Sequence, residues 1–335
     1  MQADYILCCD WGTTSFRLRL TNLKAEVIAE THAENGILSH YNSWQSQKDE
    51  NPEHRFDYYL QYIQSQMGEI RHPLDIDIAK LPLVISGMAI SSIGMMNLPY
   101  ENLPFSLTAT SVFECRFQQN GAPILLVTGV CSADDLMRGE ETQMIGLYHT
   151  AELNNELPGN GIFVLPGTHS KHISVIDKSI VSIKTFITGE LFHILRGHGT
   201  LSKSIAFLQE DRNANPENQS AFIKGIHDSK DGSLLNHLFQ VRVNDILNKL
   251  NKEQNFYYLS GLLIGSEFDY LKKGNILSAT NKLLVCCSSN LISYYTIVLK
   301  ELGLMEDAIF IAPALFDKAT VVGQLTVYKK YIQTI

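Results

Sequence analysis

The feature that most constrains the fold of this chain is a polar turn that occurs twice, each time between two short apolar segments. Residues 8–22 read CCDWGTTSFRLRLTN, and residues 163–177 read FVLPGTHSKHISVID. Both segments run from an apolar strand through Gly-Thr-x-Ser into a second strand with alternating apolar residues. Only the first copy has an acidic residue, Asp10, where its apolar strand ends, and the second copy has Leu165 there.

The segments around each turn predict that the chain consists of two related halves. In the first half YILCCD, FRLRLTN and AEVIAETH have strand character, as GIFVLP, KHISVID and SIVSIKTFIT do in the second. Apolar runs bounded by Pro or Gly at 81–88 and 122–129 are typical of buried parallel strands. Because helical segments follow both groups of strands, we expect two related α/β domains that face a cleft.

The length of 335 residues also favours two domains over one. We expect the first domain at residues 1–150 and the second at 151–317, with a largely helical insert at about 204–273. A final helix, at about 318–335, is expected to pack back on the first domain.

The composition excludes several classes of partner. The chain is 45% hydrophobic and 19% charged, which is typical of a globular protein, and its formal net charge is −8. An acidic chain is a poor candidate for binding nucleic acid or a membrane surface, so any anionic ligand must be met by local basic residues. Neither a signal segment nor an apolar run of roughly 18 residues is present, so we expect a cytoplasmic location.

The cysteines show neither the CxxC pattern nor the spacing of a metal site. Most of them lie in apolar, strand-like segments, which predicts reduced and buried thiols. The six are Cys8, Cys9, Cys115, Cys131, Cys286 and Cys287.

The chemistry of the two turns suits phosphate. A turn rich in glycine and hydroxyl side chains presents backbone N–H and O–H donors to a concave point, although it is not a Walker A loop. Asp10 adds a carboxylate that could hold Mg²⁺ through water. The alternative is a pair of ordinary hairpin turns, because Gly, Thr and Ser are common turn residues. The candidate phosphate-binding residues are Gly12, Thr13, Thr14 and Ser15 in the first copy and Gly167, Thr168, His169, Ser170 and Lys171 in the second.

Several blocks of the sequence resemble the 2-dehydro-3-deoxygalactonokinase family, and the first turn resembles the phosphate loop of the superfamily of sugar kinases, chaperone ATPases and actin. These blocks occur in the family's order across nearly the whole chain. They are DWGTTSFR, SGM (86–88), MRGEETQMIG (137–146), LPGTHSKH (165–172), FITGELFHIL (186–195) and LSGLLIGSE (259–267).

The resemblance implies an α/β fold of two duplicated actin-like ATPase (ribonuclease H-like) domains that flank a nucleotide cleft. It also implies the cofactors ATP and Mg²⁺ and phosphorylation of the sugar acid 2-dehydro-3-deoxy-D-galactonate at O6, a step of galactonate breakdown. The partner is then a small molecule, and a homodimer is left open. Two alternatives stay open: a kinase of another sugar or keto acid, and a nucleotide-binding sensor that has lost transfer chemistry.

The same resemblance supplies candidate catalytic and substrate-binding residues. In better-known sugar kinases of this superfamily a Gly-Asp pair opens a helix before the second phosphate loop, and here Gly139-Glu140 has a comparable place. We therefore expect Glu140 to be the catalytic base, with Glu141 and Asp135 in reserve, unless these acids only complement the helix dipole. The candidates for substrate binding are Arg138 as a carboxylate clamp, Ser86, Gly87, Met88 and Glu190.

The sequence departs from the family on the side expected to hold adenosine. An Ala-Gly-Thr type of turn is expected after a late strand, but the chain has Cys286, Cys287, Ser288 and Ser289, and Phe316 replaces a glycine. Ser288 and Asp317 are the candidate nucleotide contacts there. Side chains in place of glycine predict weaker or less base-selective nucleotide binding, unless Cys287 merely packs inside.

Overall fold

The computed structural model describes residues 4–48, 51–108, 113–150, 157–208, 215–231, 233–273 and 282–334. Its contacts divide the chain into two units. The first comprises Met1–Gly159, Ile176–Ile183 and Ala314–Ile335, and the second comprises Asn160–Val175 and Lys184–Pro313. The domain boundaries expected from the sequence stay a prediction.

The first unit is built on a six-stranded sheet with helices packed against it. Its strands are β1 (Tyr5–Trp11), β2 (Phe16–Asn22), β3 (Val27–Ala33), β4 (Leu83–Gly87), β5 (Glu101–Asn102), β6 (Phe105–Ser106), β7 (Phe113–Gln119), β8 (Ala122–Val127), β9 (Val130–Cys131) and β10 (Leu136–Met137). Its helices are α1 (Ile37–Ser46), α2 (Pro52–Glu69), α3 (Glu140–His149) and, at the end of the chain, α10 (Pro313–Ile332). Short 3-10 helices lie at Ile78–Lys80 and Met88–Ile90.

The strand order of this sheet is β3-β2-β1-β4-β8-β7. The strands β1, β2 and β3 pair antiparallel, whereas β1, β4 and β8 pair parallel. Helix α2 places Phe56, Tyr59, Ile63 and Met67 on one face at helical spacing, and these residues pack against the sheet side chains in one buried cluster. The register sets Asp10 opposite Arg17 on one side and Ser86 on the other.

The second unit combines a smaller sheet with a larger set of helices. Its strands are β11 (Gly161–Leu165), β12 (Ser170–Ile176), β13 (Ser179–Phe186), β14 (Lys282–Val285) and β15 (Ala308–Phe310), and the first residues of β13 belong to the first unit. Its helices are α4 (Thr188–Gly197), α5 (Pro216–Asp228), α6 (Leu234–Ile246), α7 (Lys252–Glu267), α8 (Asp269–Lys273) and α9 (Ser289–Leu302), with 3-10 helices at Leu201–Ser204, Ser229–Asp231 and Met305–Asp307.

The duplicated α/β fold expected from the sequence is confirmed by the strand topology. In the second sheet β11 pairs antiparallel with β12 and parallel with β14, and β14 pairs parallel with β15. The order β15-β14-β11-β12-β13 therefore repeats the order β8-β4-β1-β2-β3 of the first unit.

The expectation for the cysteines agrees with the described part of the chain. Cys8, Cys9, Cys286 and Cys287 are buried free thiols, and Cys131 is a half-buried one. The side chain of Cys115 lies outside the described structure. In the described residues, no helix has both the length and the apolar character needed to cross a membrane.

The C-terminal helix α10 packs on α3 through glycines. A Cβ atom on Gly146 would overlap the backbone of Ala319, and one on Gly323 would overlap the carbonyl group of Thr142. The two helix backbones can approach this closely only because both glycines lack side chains. Since α3 begins directly after Gly139, this contact fixes the position of the helix that carries Glu140.

We predict that Gly146→Ala lowers the free energy of unfolding by about 1–3 kcal/mol, because its new methyl group must push α10 away from α3. Gly68→Ala is the matched control, since Gly68 is an exposed position of α2 with open space around it. This control should leave stability unchanged or raise it by about 0.5–1 kcal/mol through helix propensity. Urea unfolding of both variants checks the prediction, and equal stability of the two would contradict it.

Candidate functional site

The first polar turn is a short loop that is held by a backbone hydrogen bond between its first and last residues. The N–H of Gly12 donates to the carbonyl oxygen of Ser15 at 2.9 Å. The side chains of Thr14 and Ser15 are exposed, and neither makes a hydrogen bond to the residues that the structure describes. Their hydroxyl groups are therefore available to a ligand, as the sequence predicts for a phosphate-binding turn.

The start of α1 supports this turn from below. The N–H groups of Ile37 and Leu38 donate to the carbonyl oxygens of Gly12 and Thr13, at 3.0 and 3.3 Å. A Cβ atom on Gly36 would overlap the backbone of Thr13. Sequence reasoning missed Gly36, although a glycine directly before a helix pattern was a visible signal for such a contact.

Asp10 lies at the end of β1, directly before the turn. Burial raises the pKa of its carboxyl, while the charges of Arg19 and Arg17 lower it and that of Asp317 raises it. Arg17 and Arg19 both donate to Asp317, at 2.7 and 2.8 Å. The carboxylate of Asp317 thus has two arginine partners and is still exposed, and its expected contact with nucleotide stays a prediction.

Three motifs that are far apart in the sequence meet beside Asp10. A Cβ atom on Gly87 would lie 3.3 Å from Oδ1 of Asp10 and 2.8 Å from the carbonyl oxygen of Trp11. A Cβ atom on Gly139 would in turn lie 3.3 Å from Cα of Gly87. Both glycines have a positive φ, +87° and +111°, which side-chain-bearing residues rarely adopt. Glycine at both positions therefore brings the start of α3 close to Asp10.

The two acidic residues at the start of α3 have different surroundings. Glu141 is completely buried, and both of its carboxylate oxygens accept from the N–H of Gly139, at 2.9 and 2.7 Å. Burial, together with the neighbouring charge of Glu140, raises the pKa of Glu141 to about 8. Glu140 is half-buried and accepts from the N–H of Arg138 at 3.1 Å. Of the two, Glu140 is the carboxylate that a substrate can reach. The reserve acid Asp135 accepts from the N–H of Leu136.

Arg138 is buried rather than on the surface. Its guanidinium lies 4.0 Å from the ring centre of Tyr100, donates to the hydroxyl of Tyr100 at 3.2 Å, and donates to the carbonyl oxygen of Leu98 at 2.9 Å. The buried Nη1 atom has no hydrogen-bond partner among the described residues. An unpartnered guanidinium nitrogen is costly to bury, so it is a candidate for an anionic ligand atom.

The SGM block contributes backbone rather than a substrate-facing hydroxyl. Ser86 is fully buried, and its Oγ accepts from the side-chain amide of Gln324 at 2.9 Å. The same amide donates to the carbonyl oxygen of Cys9 at 2.7 Å. Gln324 thus joins β1 and β4 next to Asp10, and no motif in the sequence points to it. Met88 is half-buried against the core of the unit, and the substrate roles of Ser86 and Met88 stay predictions.

In the second polar turn the central residues are exposed, and the start of α4 packs against the turn. Gly167, Thr168 and His169 are exposed. A Cβ atom on Gly189 would lie 2.5 Å from the carbonyl oxygen of Gly167, so Gly189 occupies the place that Gly36 has in the first unit. The N–H of Glu190 donates to the carbonyl oxygen of Thr168 at 3.0 Å, and its carboxylate contacts Nε2 of His169. Glu190 is thus a partner of the turn, and its expected role in substrate binding stays a prediction.

The end of the second turn differs from the first because the pairing register across it is shifted by one residue. Asp10 pairs with Arg17 across the first turn, whereas Leu165, at the place of Asp10, pairs with Lys171 rather than with His172 across the second. Ser170 and Lys171 are therefore part of β12 and buried, unlike the exposed Ser15. The hydroxyl of Ser170 donates to the buried carboxylate of Glu267 at 2.9 Å. Its expected phosphate contact is not favoured by this position.

A cavity of about 370 Å³ lies directly beside the second turn, within the second unit. Gly167 and Gly189 form one part of its wall, and most of the remaining wall is apolar or aromatic. It is lined by Pro166, Gly167, Thr188, Gly189, Phe192, Leu208, Phe256, Ser260, Leu263, Ile264, Asn290, Leu291, Tyr294 and Tyr295. An apolar cavity next to a phosphate-type turn has the chemistry of a nucleoside site.

Of the four residues that replace the expected glycine turn, the two cysteines are packed inside the second unit and the two serines are exposed. Cys286 and Cys287 are buried, and Cys287 belongs to the core cluster of this unit. Ser288 precedes α9, and its hydroxyl donates to the side-chain oxygen of Asn290 at 2.6 Å. Of these three residues none lines the cavity, whereas Asn290 and Leu291 do. The position of Cys287 favours the alternative in which its side chain merely packs inside.

Comparisons with known proteins point to one family. A model of the family described as 2-keto-3-deoxy-galactonokinase matches residues 10–320. The 2-dehydro-3-deoxygalactonokinase of Escherichia coli K12 is 33% identical over 192 residues, which span 56% of this chain and 60% of the relative. A Rhizobium meliloti protein named as a probable 2-dehydro-3-deoxygalactonokinase is 26% identical over 92% of both chains.

A solved structure shows the same fold. It is that of a Sinorhizobium meliloti protein provisionally named as a 2-dehydro-3-deoxygalactonokinase, and its TM-score to this chain is 0.78 at 24% identity. The alignment covers 98% of this chain and 99% of that one.

We predict that Glu141 makes the stability of the protein fall as the pH rises towards 8. Its pKa is raised to about 8 in the folded state, so the proton that folding favours is fully bound near pH 4 and is lost as the pH passes 8. In Glu141→Gln this decline should be smaller by at least about 1 kcal/mol between pH 5 and 8.5. Urea unfolding at several pH values measures it. The exposed Glu306→Gln serves as control, and a pH profile of Glu141→Gln that runs parallel to the parent's would refute the assignment.

Proposed function

Because this chain belongs to the 2-keto-3-deoxy-galactonokinase family, we propose that it transfers the γ-phosphate of ATP to O6 of 2-dehydro-3-deoxy-D-galactonate. The observation that carries the proposal is the meeting of Asp10, Gly87 and the Gly139-Glu140 start of α3 beside an exposed Gly-Thr-Thr-Ser turn. This arrangement combines a phosphate-binding turn, a carboxylate for a cation and a second carboxylate for a proton. The matched relatives are named for this activity.

Asp10 and the first turn would hold the phosphate end of the nucleotide. The backbone N–H groups of the turn and the exposed hydroxyls of Thr14 and Ser15 offer donors to phosphate oxygens. Among the described residues no group of three or more acidic, histidine or cysteine side chains could hold a metal ion. A single carboxylate such as Asp10 fits Mg²⁺, which keeps several waters and binds phosphate oxygens as its other ligands. The bound ion would neutralise charge on the transferred phosphoryl group.

Glu140 is the proposed general base. Its half-buried carboxylate lies at the start of α3 and makes a hydrogen bond to its own turn of the chain. It can accept the proton of the attacking hydroxyl, which is the usual role of a carboxylate in phosphoryl transfer to an alcohol. Glu141 cannot take this role from its present position, because it is completely buried and bound to Gly139.

Arg138 is the proposed partner of the substrate carboxylate. Two of its three guanidinium nitrogens are held by Leu98 and Tyr100, which fixes the plane of the group. The remaining nitrogen, Nη1, is left for an oxygen of the acid substrate. A fixed guanidinium recognises a carboxylate with little loss of side-chain entropy.

The cavity of the second unit is the proposed nucleoside site. Its aromatic and aliphatic walls can pack against a base, and Gly167 at its edge leads to the second turn. The exposed Thr168 and His169 would then meet the phosphates that follow the nucleoside. Ser170 has its hydroxyl engaged by Glu267, so we assign it a structural role.

The activity is tested by measuring ADP release with and without 2-dehydro-3-deoxy-D-galactonate. A kinase shows ADP release that depends on the sugar acid, and the phosphorylated product carries the new group at O6 by ³¹P and ¹³C NMR. Sugar-acid-independent ADP release, or nucleotide binding without turnover, would reject the proposal in favour of a sensor. Turnover only with another keto acid would reject the substrate.

We predict that Glu140→Gln lowers kcat by about 10² or more and leaves nucleotide affinity unchanged, because only proton removal is lost. The control is Asp134→Asn, which removes the same charge from an exposed side chain of the preceding segment. Steady-state kinetics and calorimetric binding of a non-hydrolysable ATP analogue give the two readouts. If Glu140→Gln keeps the kcat of the control, Glu140 is excluded as the base.

We predict that Leu291→Trp raises KM for ATP at least about tenfold, because the larger side chain occupies the cavity that α9 borders. The KM for the sugar acid should stay within twofold. Leu291→Met is the control, since it keeps the volume of the side chain. Unchanged KM for ATP in the tryptophan variant, with the fold intact by circular dichroism, would place the nucleoside elsewhere.

A further inference from the structure

The first unit contains a second cavity, of about 440 Å³, that none of the roles above uses. It is bordered by the turn between β2 and β3, by the end of α3 and by α10 from Lys318 onwards. Its volume lies in the range that small-molecule sites occupy. Neither Asp10, nor the first turn, nor Arg138 or Glu140 contributes to its wall.

The wall of this cavity is basic. Lys24, Lys318, Lys329 and Lys330 line it, and His149 lies beside them. None of the described residues that line the cavity is acidic. In a chain whose formal net charge is −8, four lysines around one cavity are a local reversal of sign. Such a concentration of positive charge attracts a small anion.

Three of these lysines are not neutralised by neighbouring side chains. Lys24, Lys329 and Lys330 are exposed, and none of the three forms an ion pair with a described residue. Like charges that share one cavity repel one another, and an anion bound between them relieves that repulsion. A bound anion would therefore stabilise the folded protein by neutralising these lysines, which the protein's own described side chains do not do.

The lysine side chains and the apolar residues of the cavity wall together indicate which class of ligand it can bind. A lysine ammonium is a compact point charge and a common binder of phosphate, and no arginine is among the described lining residues to offer a planar fork. Leu23, Val322 and Leu325 supply an apolar side that can cover a carbon skeleton. We propose that this cavity binds a small phosphorylated metabolite that carries at least two negative charges.

Binding is tested by isothermal titration calorimetry on the whole chain saturated with Mg²⁺ and a non-hydrolysable ATP analogue, so that nucleotide sites are filled. The probes are glucose 6-phosphate, inorganic pyrophosphate and citrate, at 150 mM NaCl. We expect glucose 6-phosphate to bind one molecule per chain and to bind more tightly than citrate. Lys329→Gln/Lys330→Gln should weaken it at least tenfold, and the exposed pair Lys249→Gln/Lys252→Gln in the second unit should not.

A second variant distinguishes binding inside the cavity from binding to the positive charge of surface lysines. Val322→Trp keeps every lysine but fills the cavity, and we expect it to abolish binding of glucose 6-phosphate while thermal unfolding stays cooperative. Equal binding by the parent and both cavity variants, or equal loss in the control pair, would overturn the proposal. Binding of pyrophosphate alone, or tighter binding of citrate, would overturn the ligand class. Because the readout is binding, these outcomes do not depend on whether the proposed kinase activity is found.

Discussion

The absence of side chains at Gly87 and Gly139 is the constraint on which the candidate site of the first unit depends. A Cβ atom on Gly87 would be placed against both the Trp11 carbonyl and the Asp10 carboxylate, and one on Gly139 would press on Gly87. Both residues also have a positive φ. Any other residue type would be strained in its backbone and would separate the end of β1 from the start of α3. The first turn, Asp10 and the start of α3 are neighbours only because of these two glycines.

The C-terminal helix α10 holds that arrangement from the other side. Gly323 lets α10 approach α3, and its neighbour Gln324 donates to the carbonyl oxygen of Cys9 and to Ser86. A buried amide with two partners on adjacent parallel strands fixes their register next to Asp10. Ala319 and Gly323, four residues apart in α10, thus form a packing motif of the first unit.

The sequence was sufficient for the elements that depend on local pattern. The two three-strand segments, the helix start at Gly139 and the exposed hydroxyls of the first turn follow from alternation, glycine and acidic first-turn residues. The sequence was insufficient where a shift of one residue in strand pairing decides whether a side chain is buried. Ser170 occurs in the same motif as Ser15, yet the shifted register across the second turn places it inside, where it donates to a glutamate far along the chain.

Hydrogen-bond partners that lie far apart in the sequence likewise could not be predicted from local sequence patterns. Gln324 lies in a helix whose sequence shows no functional motif, and its two acceptors are 315 and 238 residues away in the chain. The burial of Arg138 against Tyr100 also depends on how loops of the first unit meet, which neither propensity nor spacing encodes. By contrast, the family resemblance predicted the fold and the family correctly, because each of its motifs reflects several long-range contacts together.

The charge balance around Asp10 explains why only one of the two turns carries the acid. Burial disfavours an ionised Asp10 and raises its pKa, but a cation site requires the ionised form, and the positive charges of Arg19 and Arg17 on β2 offset part of the cost. The second copy has Leu165 where Asp10 stands, and its register places Lys171 and Ile173 where the first copy has the two arginines. The acid and one of the two cations are therefore absent from the second copy, whereas the cation opposite the acid position is kept as Lys171. A carboxylate at Leu165 would face one cation rather than two, so the asymmetry of the two turns is a property of whole strands rather than of one residue.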